Sequence, residues 1–197
     1  MGFAALQETM WSQDITVRGR NGEAIINFLS PEAGYIGLGL YLSSKWTQRL
    51  VTTRIINGRM VVIRFKAFTE GKTDLVVVNV YAPTTMRAKE QPEITESLYH
   101  ELSQLYKEEE KGATSVFLLA DFNSKMGKPQ ADDSKLMSKC GKGDRNENGE
   151  ALQQLLTING LCLVNAHKHR DRQVATWYKM RPPGAESKKR EPGVAKR

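Results

Sequence analysis

The sequence predicts a layered α/β domain, and three observations carry that reading. Short apolar runs recur with strand periodicity, two longer stretches switch to helical periodicity, and the strand-like runs outnumber the helical ones with long crossovers between them. At 197 residues the chain has the size of one domain with a substantial core. Its 40% hydrophobic and 26% charged residues are ordinary for a globular protein, which argues against collagen-like, disordered or membrane-embedded readings of the whole chain.

Residues 35–46 (YIGLGLYLSSKW) alternate Ile36, Leu38, Leu40 and Leu42 with small or polar neighbours, the period-two pattern of a half-buried strand. Two β-rich runs, 49–56 and 59–65, flank Asn57-Gly58, a dipeptide that suits a type I′ hairpin turn. Residues 75–81 (LVVVNVY) are nearly all apolar, as in a strand covered on both faces, and Pro83 stops it. Over 92–111 the period changes: Ile94, Leu98, Leu102 and Leu105 form the buried stripe of an amphipathic helix, with Gly112 at C′. A second buried strand is expected at 115–120 (SVFLLA) and a polar loop at 125–145. Leu152, Leu155 and Leu156 predict a helix over 147–158 that ends near Asn159-Gly160, and 161–164 returns to strand.

The longest apolar runs, 75–78 and 116–120, are far too short to cross a bilayer. No basic segment followed by an apolar leader opens the chain, so an intracellular location, nuclear or cytoplasmic rather than secreted, is expected. Cys140 and Cys162 lack metal-type spacing and fit free thiols. The net charge of +7 is unevenly placed. Residues 179–197 hold seven Lys and Arg against two Glu, so +5 of it sits in a Pro- and Gly-punctuated tail that reads as disordered. Residues 1–178 form the expected domain and are nearly balanced. Lys188-Lys189-Arg190 fits either a nuclear localisation cluster or simply a solvated tail.

Polar residues at the ends of apolar strands are where a rigid scaffold aims chemistry. Four such places occur: Glu8 in ALQET, Tyr81 in NVYAPT, Asp121 and Asn123 in ADFN, and Thr176 before Trp177. Taken singly each has a plain structural reading. Glu8 fits a surface or capping carboxylate, Tyr81 a packed ring, and Asp121 with Asn123 a turn, although an acid placed directly after SVFLLA needs a partner or a cation.

In combination and in this order, FAALQETMW (3–11), GLGLYLSSKW (37–46), VNVYAPT (78–84), FLLADFNSKMG (117–127), GKGDRNENG (141–149) and ATW (175–177) resemble the endonuclease/exonuclease/phosphatase superfamily. Within it the sequence is most similar to the endonuclease domains of LINE-type (non-LTR) retrotransposons and to craniofacial development protein 2-like proteins. The resemblance covers about residues 1–178. It implies a four-layer α/β sandwich, two mixed β-sheets flanked by helices. It also implies hydrolysis of phosphodiesters in double-stranded DNA with Mg²⁺, or with Mn²⁺ as the alternative ion.

Carried over residue by residue, Glu8 resembles the metal-binding glutamate, and Asp121 with Asn123 the pair that positions water and contacts the scissile phosphate. Tyr81 resembles the phosphate-side tyrosine and Thr176 a residue of the DNA-binding rim. These types suit the task, since Mg²⁺ takes hard oxygen ligands, often only one or two of them protein carboxylates. Two family elements are missing: a strand before ALQET with a metal-site asparagine, and a closing Ser-Asp-His after the TW motif. The expectation is therefore a domain incomplete at both termini, with catalysis impaired. The alternative is a non-catalytic, domesticated remnant that binds nucleic acid or protein. A phosphatase branch of the superfamily fits the NENG and TW contexts less well.

Overall fold

The structure, a computed structural model, describes residues 2–29, 37–68, 73–137 and 141–166. Strands β1 (Phe3–Gln7), β2 (Ile15–Arg18), β3 (Ala24–Phe28) and β4 (Leu38–Leu42) form one sheet in the order β1-β4-β3-β2, each pair antiparallel. After the four-residue helix α1 (Ser44–Thr47) come β5 (Leu50–Asn57), β6 (Met60–Phe65) and β7 (Asp74–Tyr81). With β8 (Ala113–Asp121) they form a second sheet, β5-β6-β7-β8, in which only β7 and β8 are parallel. Helices α2 (Thr85–Glu90) and α3 (Pro92–Glu110) make the crossover that a parallel pair requires. A 3₁₀ turn (Ala131–Lys135), helix α4 (Glu147–Ile158) and a second 3₁₀ turn (Val164–Ala166) follow. This is the two-sheet α/β sandwich expected, except that among the described residues the first sheet is wholly antiparallel rather than mixed.

Alternation builds the layers. Leu38, Leu40 and Leu42 of β4, with Ala24 and Phe28 of β3, point inward and are buried. Phe28 and the three β4 leucines pack with Val61, Ile63 and Phe65 of β6 and Val77 and Tyr81 of β7 to form the core between the sheets. The opposite face of the second sheet carries Met60, Val62, Val76, Val78 and Val80, which pack under Leu98 and Leu102 of α3 and Leu152, Leu155 and Leu156 of α4. Strand β7 is thus covered on both faces, as its nearly all-apolar run predicts. Each side chain of this kind contributes roughly 1.5–3 kcal/mol on burial.

Helix α3 starts with Pro92 in its first turn and Glu93 beside it, both favoured there. Thr84 and Asn146 cap α2 and α4 by accepting from Arg87 N and Gly149 N. Among the described residues no helix is long and apolar enough to cross a membrane. Cys162 is free and exposed.

Several sequence expectations need correction. Of the strand expected over 35–46, the described residues 37–46 form strand only at Leu38–Leu42, because Ser43 turns the chain into α1. The Asn57-Gly58 hairpin exists, but neither residue has positive φ, so its turn is not type I′; Arg59 N instead donates to Asn57 Oδ1 at 2.9 Å. Gly112 does take the C′ position after the Lys111 cap of α3, although its backbone is not left-handed. Strand β8 is half exposed rather than buried, with Phe117 47% exposed, because it lies at the edge of its sheet among the described residues. Residues 161–163 form no strand: Leu163 N donates to Leu136 O of the preceding loop, and the leucines pack against the helical core. The tail and Cys140 lie outside the described residues.

Candidate active site

Glu8 follows β1 directly and is exposed, with a left-handed backbone (φ 53°). That turn is shaped by the next residue. Thr9 N donates to Gly37 O at 3.2 Å, and the Thr9 hydroxyl donates to Asn27 Oδ1. A Cβ at position 37 would lie 2.0 Å from Thr9 Oγ1, so the close approach demands glycine there. The GLGLYL motif thereby seats the ALQET turn and aims Glu8.

Tyr81 ends β7, and its phenol donates a hydrogen bond to Glu8 Oε1. Only 4% of Tyr81 is exposed. Burial first, then the hydrogen bond and charge of Glu8, push its pKa up to about 12. Asp121 adds to the rise, while a polar contact from the Asn123 side chain acts in the opposite sense. The phenol is therefore a neutral donor throughout the physiological range.

Asp121 ends β8 beside Tyr81 in the parallel register. Asp121 O accepts from Ala82 N, and Asp121 Oδ1 accepts from Asn123 N, both at 2.9 Å. Asn123 is left-handed (φ 47°), and its Nδ2 donates to Ala82 O at 2.9 Å. The two loops beyond β7 and β8 are stitched together at Ala82. Four of the five sequence-predicted residues, Glu8, Tyr81, Asp121 and Asn123, thus meet at one end of the sandwich. Thr176 lies outside the described residues.

Neither Glu8 nor Asp121 has an ion-pair partner among the described residues. Two exposed, unneutralised carboxylates acting on one phenol suit a small hard cation, which needs only one or two of them. No group of three or more His, Cys, Asp or Glu that could hold a metal occurs among the described residues. His100 is exposed on α3, where it bonds to Gln104, and belongs to no part of this cluster.

Arg59 is a site neighbour that sequence reasoning missed. It is buried, its Nη1 donates to Tyr81 O at 3.3 Å, and its guanidinium lies 5.6 Å from the Tyr81 ring centroid. Burial, followed by the nearby charge of Arg87, lowers its pKa. A lone arginine after an Asn-Gly turn carries no sequence signal, since its role arises only from the pairing of β6 with β7. Compared with protein-family models and with curated proteins, the chain matches none.

Proposed function

We propose that this chain carries a divalent-cation-dependent phosphodiester-hydrolysing site of the retrotransposon-endonuclease type, acting on double-stranded DNA with slow turnover. The observation that supports it most is the convergence of Glu8, Tyr81, Asp121 and Asn123 from separate strand ends onto one phenol. Glu8 would hold Mg²⁺, or Mn²⁺ in its place. The bound ion would offset the charge that develops on the phosphate and the leaving oxygen. Tyr81 and Asn123 are neutral donors suited to hold a phosphoryl oxygen without repelling a cation. Asp121 is an exposed carboxylate able to accept the proton of an attacking water.

Slow turnover is part of the reading because no histidine reaches this cluster among the described residues, and a missing acid–base group costs about 10²–10⁴-fold in rate. The site belongs to an intracellular, nuclear or cytoplasmic protein. Nicking of supercoiled plasmid tests this reading. Slow nicking that requires Mg²⁺, stops with a chelator and is lost in Asp121→Ala is expected. Absence of nicking by the parent chain, or nicking that survives Asp121→Ala, would overturn it.

A further inference from the structure

We propose that Asn148 is the positioning residue that fixes the spacing between Tyr81 and the Asp121–Asn123 turn. The proposal rests on the reading above for its catalytic consequence, and on geometry alone for the spacing itself.

The β7–β8 ladder ends at the Tyr81–Asp121 pair, and past the bonds at Ala82 (Ala82 N to Asp121 O and Asn123 Nδ2 to Ala82 O) no strand pairing sets the two loops among the described residues. Asn148 does so from the second position of α4. It is 1% exposed, and its single Nδ2 group donates to Pro83 O at 2.9 Å and to Asn123 O at 3.1 Å. Pro83 lies two residues after Tyr81, and Asn123 is itself a site residue. A planar amide with two donors holds two carbonyls at a fixed separation only while both bonds are made. Asn148 is anchored in turn, since its own carbonyl accepts from Tyr99 Oη of α3 at 3.3 Å.

The rest of the NENG motif supports the same closure. Asn146 Oδ1 accepts from Lys125 N at 2.8 Å, and its Nδ2 donates to Thr85 Oγ1 at 3.2 Å, reaching both loops again. A Cβ at position 149 would lie 2.1 Å from Lys125 O, so α4 closes on the turn only because that residue is glycine. Asn148 Oδ1 is buried and accepts no hydrogen bond from the described residues. Such an orphan costs about 1–3 kcal/mol, which an apolar residue of similar shape would avoid. The double donation is what asparagine supplies at this position and leucine cannot.

A displacement of one loop by about 1 Å can cost on the order of 10²-fold in rate. The test compares parent and Asn148→Leu for Mg²⁺-dependent plasmid nicking and for amide hydrogen exchange. The expected result is a kcat at least about tenfold lower with KM within about threefold, in a variant that still melts cooperatively. Exchange should rise together over residues 82–86 and 121–125 and stay unchanged in α3. A kcat within about threefold of the parent overturns the proposal. If the parent does not cleave DNA, the functional reading fails, and exchange alone decides. Joint loosening of the two loops then upholds the spacing role, and loosening of neither or of only one overturns it. If Asn148→Leu does not fold, Asn148→Ala, which also removes both donors, replaces it under the same kcat and exchange criteria.

Discussion

Gln7 of β1 and Asn79 of β7 meet across the interior of the sandwich, Gln7 Nε2 donating to Asn79 Oδ1 at 2.7 Å. Asn79 is fully buried, and its Nδ2 donates to Leu6 O at 3.1 Å and Gly39 O at 2.9 Å. This amide bolt registers one sheet against the other. Glu8 follows Gln7 and Tyr81 lies two residues past Asn79, so the bolt sits directly behind the hydrogen bond that joins them.

Removing the bolt should destabilise the whole fold. Asn79→Leu removes the hydrogen bonds to Leu6 O and Gly39 O and leaves the Gln7 amide without its partner, a loss of about 2–4 kcal/mol. Urea denaturation reads it as a lower midpoint with an unchanged slope. The double variant Gln7→Leu/Asn79→Leu should recover part of the loss, because one orphan is removed. An unchanged midpoint in Asn79→Leu would show that the sheets hold register without this pair.

The Tyr81 phenol makes a pH prediction with a definite sign. Its folded pKa, about 12, lies above the ordinary value of 10, so the folded chain holds this proton more tightly than the unfolded one. The corresponding stability is fully present below pH 10 and is lost as pH rises from 10 towards 12. Tyr99 and Tyr106 are raised by burial too, so the difference between parent and Tyr81→Phe isolates this group. Tyr81→Phe should lose less stability than the parent across that window in thermal melts. Equal losses would mean that the phenol is neither buried nor held by Glu8 in solution.

The sandwich was legible in the sequence because its densest signals, the valines of β7 and the leucine stripes of α3 and α4, describe burial, and burial defines layers. Strands β2 and β3 escaped notice because Ile15 and Val17 are exposed and the adjacent Ile25 and Ile26 of β3 break the alternation. The candidate residues Glu8, Tyr81, Asp121 and Asn123 were legible as polar residues at strand ends. What joins them was not: Asn79, Arg59 and Asn148 act through contacts 22 to 73 residues distant in the chain, which no local pattern encodes. The left-handed backbone of Glu8 is likewise held by the tertiary bonds of Thr9 against the local preference of glutamate, whereas that of Asn123 agrees with asparagine's own tolerance of this region.

The loop between β8 and α4 hangs on one buried ion pair. Arg145 Nη2 donates to Asp133 Oδ2, which also accepts from Gln130 N at 2.8 Å, and Arg145 Nε donates to Met126 O at 2.9 Å. Both side chains are almost fully buried, at 7% and 1% exposure. Asp133→Ala strands the guanidinium and should cost about 3–5 kcal/mol, whereas an apolar replacement of both partners should cost far less. Limited proteolysis should cut Asp133→Ala first within residues 125–145. Cleavage no faster than in the parent would show that the loop does not depend on the pair.

Glu8 and Asp121 can be separated by what each does to a cation. In the proposed site Glu8 holds the ion, whereas Asp121 acts on water and braces Asn123 N. Glu8→Gln keeps an acceptor for the Tyr81 hydroxyl but removes the negative charge, so Mg²⁺ or Mn²⁺ binding measured by calorimetry should weaken at least about tenfold, equivalent to about 1.4 kcal/mol. Asp121→Asn should bind the ion within a few-fold of the parent yet lose nicking activity. The same substitution leaves an amide oxygen for Asn123 N, so its melting temperature should stay near the parent's. Ion affinity that falls equally in both variants would place the cation between the two carboxylates rather than on Glu8.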